Sequence, residues 1–119
     1  AQLNQKVLGF AALRHRGLEI DIELLTEKKN WEINHNYVFG GYAKLSLPLI
    51  EFINNFNKNF KTPLDPIYTG KLLFGIFDLI KQNQWNWGKR VLVIHTGCLQ
   101  GIAGMNQKLT KKEWPIIEV

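Results

Sequence analysis

Apolar residues recur along Leu49, Ile53, Phe56 and Phe60 at spacings of four, three and four, which is one face of an α-helix. Ser46 ahead of them can cap that helix and Pro48 suits its first turn. A second long helix is predicted from Pro66 to about Gln82. Asp65 can cap it, and Pro66 fits the first helical position because its missing N–H would be an orphan anyway. From Leu72 to Ile80 its sole charged residue is Asp78, so this helix should be buried nearly all round and need neighbours on several sides. Leu18 to Asn30 also reads as helical, with Ile22 and Leu25 inside and Glu23, Glu27 and Lys28 outside. A short helix is expected from Ile102 to Leu109.

Strand-like patterns lie between these helices. Val7-Leu8-Gly9-Phe10-Ala11, within the segment from Gln5 to Leu13, reads as a buried strand. Trp31 to Tyr37 alternates large and polar residues, as expected of a strand with one wet face near a sheet edge. Val91-Leu92-Val93-Ile94 is a continuous apolar run of the kind found in parallel strands covered on both faces. Phe39-Gly40-Gly41-Tyr42 is a loop, Lys61 to Asp65 a connection, and Gln84 to Lys89 a loop carrying Trp85 and Trp87. The last hydrophobic pair, Ile116 and Ile117, either docks or belongs to a loose tail. Strands alternating with helices predict an α/β fold, a layered domain with a mostly parallel sheet. In such folds ligands bind beyond the carboxyl ends of the strands. His95-Thr96-Gly97-Cys98-Leu99-Gln100-Gly101 occupies that place, and so does the helix start at Asp65–Thr69 if it faces the same edge.

Composition narrows the classes. The 119 residues, 45% of them hydrophobic, suffice for one globular domain. A single cysteine, Cys98, excludes an internal disulfide and favours a reducing compartment, so a cytoplasmic location is expected. No apolar run is long enough to cross a membrane, and no basic-then-apolar leader opens the chain. The net charge is +5, but lysine and arginine occur singly or in short pairs and no basic run interleaves with aromatics. Neither nucleic acid nor a membrane is expected as a partner.

Chemistry-bearing residues collect at three places: Tyr42, the pair Tyr68-Thr69, and Thr96. A tyrosine near a helix N-terminus can trade a proton, because the helix dipole and nearby cations stabilise its phenolate. A threonine at a strand end offers one hydroxyl that can donate or accept. Against this, a tyrosine in a first turn often merely packs, and threonine often bonds local backbone. Other signals are weak. The turn His95-Thr96-Gly97-Cys98 lacks the spacing of a phosphate-binding glycine loop. His15, His35 and His95 are too dispersed for a metal site. A Cys98–His95 dyad has nothing to orient the histidine, and no G-x-S-x-G nucleophile elbow occurs.

Two blocks carry a resemblance. D-P-I-Y-T-G-K, from Asp65 to Lys71, is followed by an apolar helix, and V-L-V-I-H-T-G-C-L-Q-G runs from Val91 to Gly101. With Gln5-Lys6-Val7-Leu8-Gly9-Phe10 and the Gly40-Gly41-Tyr42 loop, they resemble the pyridoxal-phosphate enzymes related to 1-aminocyclopropane-1-carboxylate (ACC) deaminase and D-cysteine desulfhydrase. The resemblance implies a tryptophan-synthase-β-like fold (fold type II), a three-layer, mostly parallel sheet with helices on both faces, here incomplete. It implies a pyridoxal 5'-phosphate cofactor, a small amino-acid substrate and a homodimer for the full-length enzyme. Tyr68 matches the tyrosine that faces the substrate and is implicated in proton transfer or attack, and Tyr42 a second active-site tyrosine. Thr69 stands where the ACC deaminases carry a glutamate that pairs with the pyridine nitrogen. Thr96, followed by Gly97, matches the threonine that serves that nitrogen in the desulfhydrases. A neutral hydroxyl there makes the ring a weaker electron sink than a carboxylate would, which favours β-elimination from D-cysteine over ACC deamination.

The chain departs from the family in two respects. Members usually read H-T-G-G, whereas Cys98 stands at the last of these positions here. The family's Schiff-base lysine and glycine-rich phosphate loop lie upstream of the matching region. The expectation is therefore that residues 1–119 form the C-terminal portion of a larger enzyme, partnered by the remainder of its chain and inactive alone. Lys44 and Lys71, the lysines nearest the candidate site, are not the family's Schiff-base lysine, and Lys71 is read as a polar helix residue. A stand-alone α/β module that binds a small anionic ligand at the same strand ends remains an alternative.

Overall fold

The computed structural model describes residues 5–12, 17–41 and 44–119. Two parallel strands, β1 (Val7–Phe10) and β2 (Trp31–Asn34), pair in the register Val7↔Trp31 to Phe10↔Asn34. A parallel pair needs a crossover, and α1 (Leu18–Glu23) lies on it. α1 is far shorter than the Leu18–Asn30 periodicity predicts. The Thr26 hydroxyl accepts the Lys28 N–H, a local turn that competes with helix propagation. Leu25, expected inside, is 86% exposed. α1 is tied instead through Glu19, whose carboxylate meets His35 Nε2 at 2.9 Å.

The core lies between α2 (Leu47–Phe60), α3 (Thr69–Lys81) and α4 (Ile102–Lys111). The Ser46 cap is present, with its hydroxyl accepting the Leu49 N–H. Leu49 and Ile53 are fully buried, while Phe60 at the end of the same face is exposed. Phe52 and Phe56 of α2 stack edge-on against Phe74 and Phe77 of α3. Two glycines allow α3 its close neighbours. A Cβ at Gly70 would lie 2.6 Å from the Asp65 carbonyl oxygen and 2.7 Å from Ile53 Cδ1; one at Gly75 would strike the Phe10 ring. α3 thus packs on α2 on one side and on the strands on another, but it is not buried all round as expected, since Phe77 and Ile80 are exposed.

Asp78, the charge inside that circumference, accepts from the Tyr37 hydroxyl at 2.7 Å and from Gln82. Burial first, and then the Asp78 carboxylate, push the Tyr37 phenol up from 10.0 to about 12. The folded state therefore holds this proton more tightly than the unfolded chain does. The stability it contributes is complete below pH 10 and is lost as pH rises through about 12. In an ultraviolet titration Tyr37 is expected to ionise near pH 12, and Tyr37→Phe should remove that step.

The predicted strand at Val91–Ile94 does not form. Residues 91–94 join no ladder among the described residues, and Leu92 and Ile94 are 89% and 70% exposed. Its composition suits a strand covered on both faces, but it joins neither open edge of the β1–β2 pair. The described residues thus show helices and a small parallel sheet. The α4 prediction holds, extended by two residues and preceded by a 3-10 turn at Leu99–Gly101. The tail docks by one residue of its pair. Ile117 is buried and Ile116 is not. Asn106 exchanges two hydrogen bonds with the Ile117 backbone, and Asn54 and Asn57 bond the backbone of Ile116 and Glu118. No described helix is long and apolar enough to cross a membrane.

Candidate active site

The start of α3 is organised by one carboxylate. Asp65 is buried; its Oδ2 accepts the N–H groups of Ile67 and Tyr68, and its Oδ1 accepts the Thr69 N–H, all at 2.8 Å. Regular helix begins at Thr69 rather than Pro66, with residues 66–68 wound as a turn around the carboxylate. A negative group at this end also meets the positive end of the helix dipole. The Thr69 hydroxyl donates to Asp65 Oδ1 at 2.6 Å and accepts the Asp65 N–H at 2.9 Å. Buried and closed on Asp65, it has no hydrogen left for a ring nitrogen. The two neighbouring hydroxyls therefore do different things: Thr69 turns inward to build the cap, whereas the Tyr68 side chain is 41% exposed.

Lys71, one turn on, is not the polar surface residue its sequence position suggests. It is 1% exposed, and its ammonium donates to the carbonyls of Val38 at 2.8 Å, Gly41 at 2.9 Å and Ala12 at 3.3 Å. Burial pushes its pKa below the usual 10.5, while the Asp65 carboxylate pulls the other way. Ala12 follows β1, and Val38 and Gly41 follow β2. The first turn of α3 thus faces the carboxyl edge of the sheet, the edge where ligands of α/β folds bind. Lys71 also fixes the loop leading to Tyr42, which itself lies outside the described residues, as do His15 and Ala43. Lys44 is exposed.

The second block reaches the same place through His95. Its Nε2 meets the Pro63 carbonyl at 2.9 Å, and its Nδ1 accepts the Gly97 N–H at 3.0 Å. Thr96 is exposed, and its hydroxyl makes no hydrogen bond among the described residues. Gly97 has φ +84° with open space where a Cβ would stand. Cys98 follows with φ 61°, a left-handed conformation that glycine adopts without strain and a side chain does not. Cys98→Gly is expected to stabilise the protein by about 0.5–1 kcal/mol, measured as a higher urea midpoint with an unchanged slope.

Hydroxyls at Tyr68 and Thr96 and an open backbone at Gly97 thus belong to two segments joined by His95. The exposed Thr96 hydroxyl can donate a hydrogen bond to an acceptor brought to it. Lys71 offers no reactive amine there, because every N–H of its ammonium is already engaged.

Comparison with known proteins agrees with the two sequence blocks. No family model matches the chain. Proteins named for ACC deaminase from Pyrococcus furiosus and Pyrococcus abyssi are 35% identical over 75 residues and 40% identical over 68. These matches cover 63% and 57% of this chain and 22% and 20% of the relatives. A bifunctional D-cysteine desulfhydrase/ACC deaminase of Arabidopsis thaliana, mitochondrial by name, is 35% identical over 69 residues, or 57% of this chain and 17% of that protein. A crystal structure of an ACC deaminase homologue superposes with a TM-score of 0.72 at 25% identity, over 87% of this chain and 34% of that one. The chain therefore spans about a fifth of the length of the curated relatives it matches. In sequence and in fold it is similar to one part of the ACC deaminase and D-cysteine desulfhydrase family.

Proposed function

We propose that this chain is the C-terminal part of a pyridoxal-phosphate-dependent enzyme acting on small amino acids. The complete protein would contain a three-layer, mostly parallel sheet, act as a homodimer in the cytoplasm, and eliminate the thiol of D-cysteine. Residues 91–94, apolar and exposed here except for Val93, would be one of that sheet's strands. What supports this reading is the hydrogen bond from His95 to the Pro63 carbonyl, which ties the loop carrying Thr96 to the segment that leads into the Tyr68 turn. Bound there, pyridoxal phosphate would withdraw electrons from the substrate α-carbon and ease loss of its proton. Thr96 would donate its hydroxyl hydrogen to the ring nitrogen, and Gly97 would let the loop lie close to the ring. Tyr68 would move the proton, with Tyr42 as the second tyrosine at the substrate.

Loss of the α-proton and the β-thiol leaves an enamine, which water hydrolyses to pyruvate and ammonia. Sulfide departs readily, so the weaker electron withdrawal allowed by a neutral Thr96 suffices. With the Thr69 hydroxyl spent on Asp65, its part in this preference is to leave the ring nitrogen without a carboxylate. The test is product formation by the complete protein with pyridoxal phosphate supplied. D-Cysteine should release sulfide, L-cysteine should not, and Tyr68→Phe should lower kcat by about 10²–10⁴ with a small change in KM. Ammonia and a keto acid from ACC without sulfide from D-cysteine would contradict the thiol-eliminating assignment and favour ACC deamination.

A further inference from the structure

His95 holds two backbone groups that belong to different halves of the candidate site. Because Nδ1 accepts the Gly97 N–H, it carries no proton, and the ring hydrogen sits on Nε2, where it is donated to the Pro63 carbonyl. Pro63 lies two residues before Asp65, the carboxylate that sets the backbone of Tyr68. Gly97 directly follows Thr96. The bond to Pro63 spans 32 residues and, apart from the helical bonds by which its end runs into α4, is among the described residues the one hydrogen bond from residues 94–101 to another part of the chain. The remaining anchors of this loop are apolar ones at its ends, Val93 packed against the core and Ile102 within it. Apolar packing is non-directional, so the imidazole is what sets the loop's position relative to the Tyr68 turn.

We infer that His95 is a positioning residue, which holds Thr96 and Gly97 against the Tyr68 turn so that one ring can be met from both sides. This role rests on the proposed reading of the site as a pyridoxal-phosphate edge. His95 touches neither ring nor substrate in it; it acts through the loop.

Two substitutions separate its two hydrogen bonds. In His95→Gln the amide nitrogen reaches the place of Nε2 and keeps the donor to Pro63. In His95→Asn the shorter amide oxygen still accepts the N–H two residues on, as in an Asx turn, but cannot reach Pro63. The complete protein, unmodified and in both variants, is titrated with pyridoxal phosphate and followed by absorbance. The melting temperature of each is measured without the cofactor. His95→Asn should bind pyridoxal phosphate about tenfold more weakly, the effect of losing one hydrogen bond. His95→Gln should stay within about threefold, and the three melting temperatures should lie within a few degrees of one another. Unweakened binding by His95→Asn, or equal losses in both variants, would overturn the role of His95 alone. So would a loss of affinity that simply follows a fall in melting temperature. Absence of binding by the unmodified protein would overturn the reading of the whole edge, and this role with it.

Discussion

Lys71→Met is expected to lower the free energy of unfolding by about 3–5 kcal/mol. The methionine fills a similar volume, so the loss comes from the three carbonyls of Ala12, Val38 and Gly41, which would give up the donor that now serves all of them. The Val38 and Gly41 carbonyls keep the N–H groups of Gly41 and Lys44, so the loss is that of charge-assisted hydrogen bonds, worth about 1.5–3 kcal/mol each. The Asp65 carboxylate would also lose its buried counter-charge. Urea unfolding of the variant beside the unmodified chain measures the effect, and a loss below about 1 kcal/mol would show that water replaces the ammonium at no great cost. Because these carbonyls belong to the chain beyond β1 and β2, the variant should also loosen the loop around Gly41, seen as faster amide exchange there than at α2.

The second large effect is expected from Asp65→Ala, about 2–4 kcal/mol. This carboxylate accepts three backbone N–H groups and the Thr69 hydroxyl, more than the one or two an ordinary cap satisfies. Its removal leaves the start of α3 without acceptors and Lys71 without its nearby anion. Asp65→Asn should fall between, because one of its two terminal atoms can no longer accept. Lys71 and Asp65 act on one network, so the double variant should lose less than the two single losses added together. Urea midpoints of the four proteins decide this, and strict additivity would mean that the two groups stabilise separate regions.

Much of this organisation is legible in the residues themselves. The Ser46 cap, the Leu49–Ile53 face and the helix after Asp65 follow from local chemistry, which tertiary contacts here reinforce. The apolar circumference of α3 announces neighbours on several sides, and the structure supplies α2 and the strands. What pattern cannot show is which partner a polar group finds at a distance. Lys71 looks like a solvated helix residue because its three carbonyls lie in segments 30 to 59 positions away. Asn54, Asn57 and Asn106 look like exposed polar positions and instead hold the tail. Thr69 reads as half of a paired hydroxyl site, and nothing in its spelling reveals that Asp65 already claims its proton. Val91–Ile94 fails as a strand for a related reason: its composition specifies a covered strand, but composition does not say where it pairs, and it joins neither open edge of the β1–β2 pair.

The sharpest test of the account is a crystal structure of the complete protein with pyridoxal phosphate bound. The account predicts the pyridine nitrogen about 2.7–3.0 Å from the Thr96 hydroxyl, Tyr68 on the substrate side of the ring, and Thr69 still closed on Asp65. A ring nitrogen bonded elsewhere, or a cofactor that leaves the Tyr68–Thr96 edge in open solvent, would contradict it.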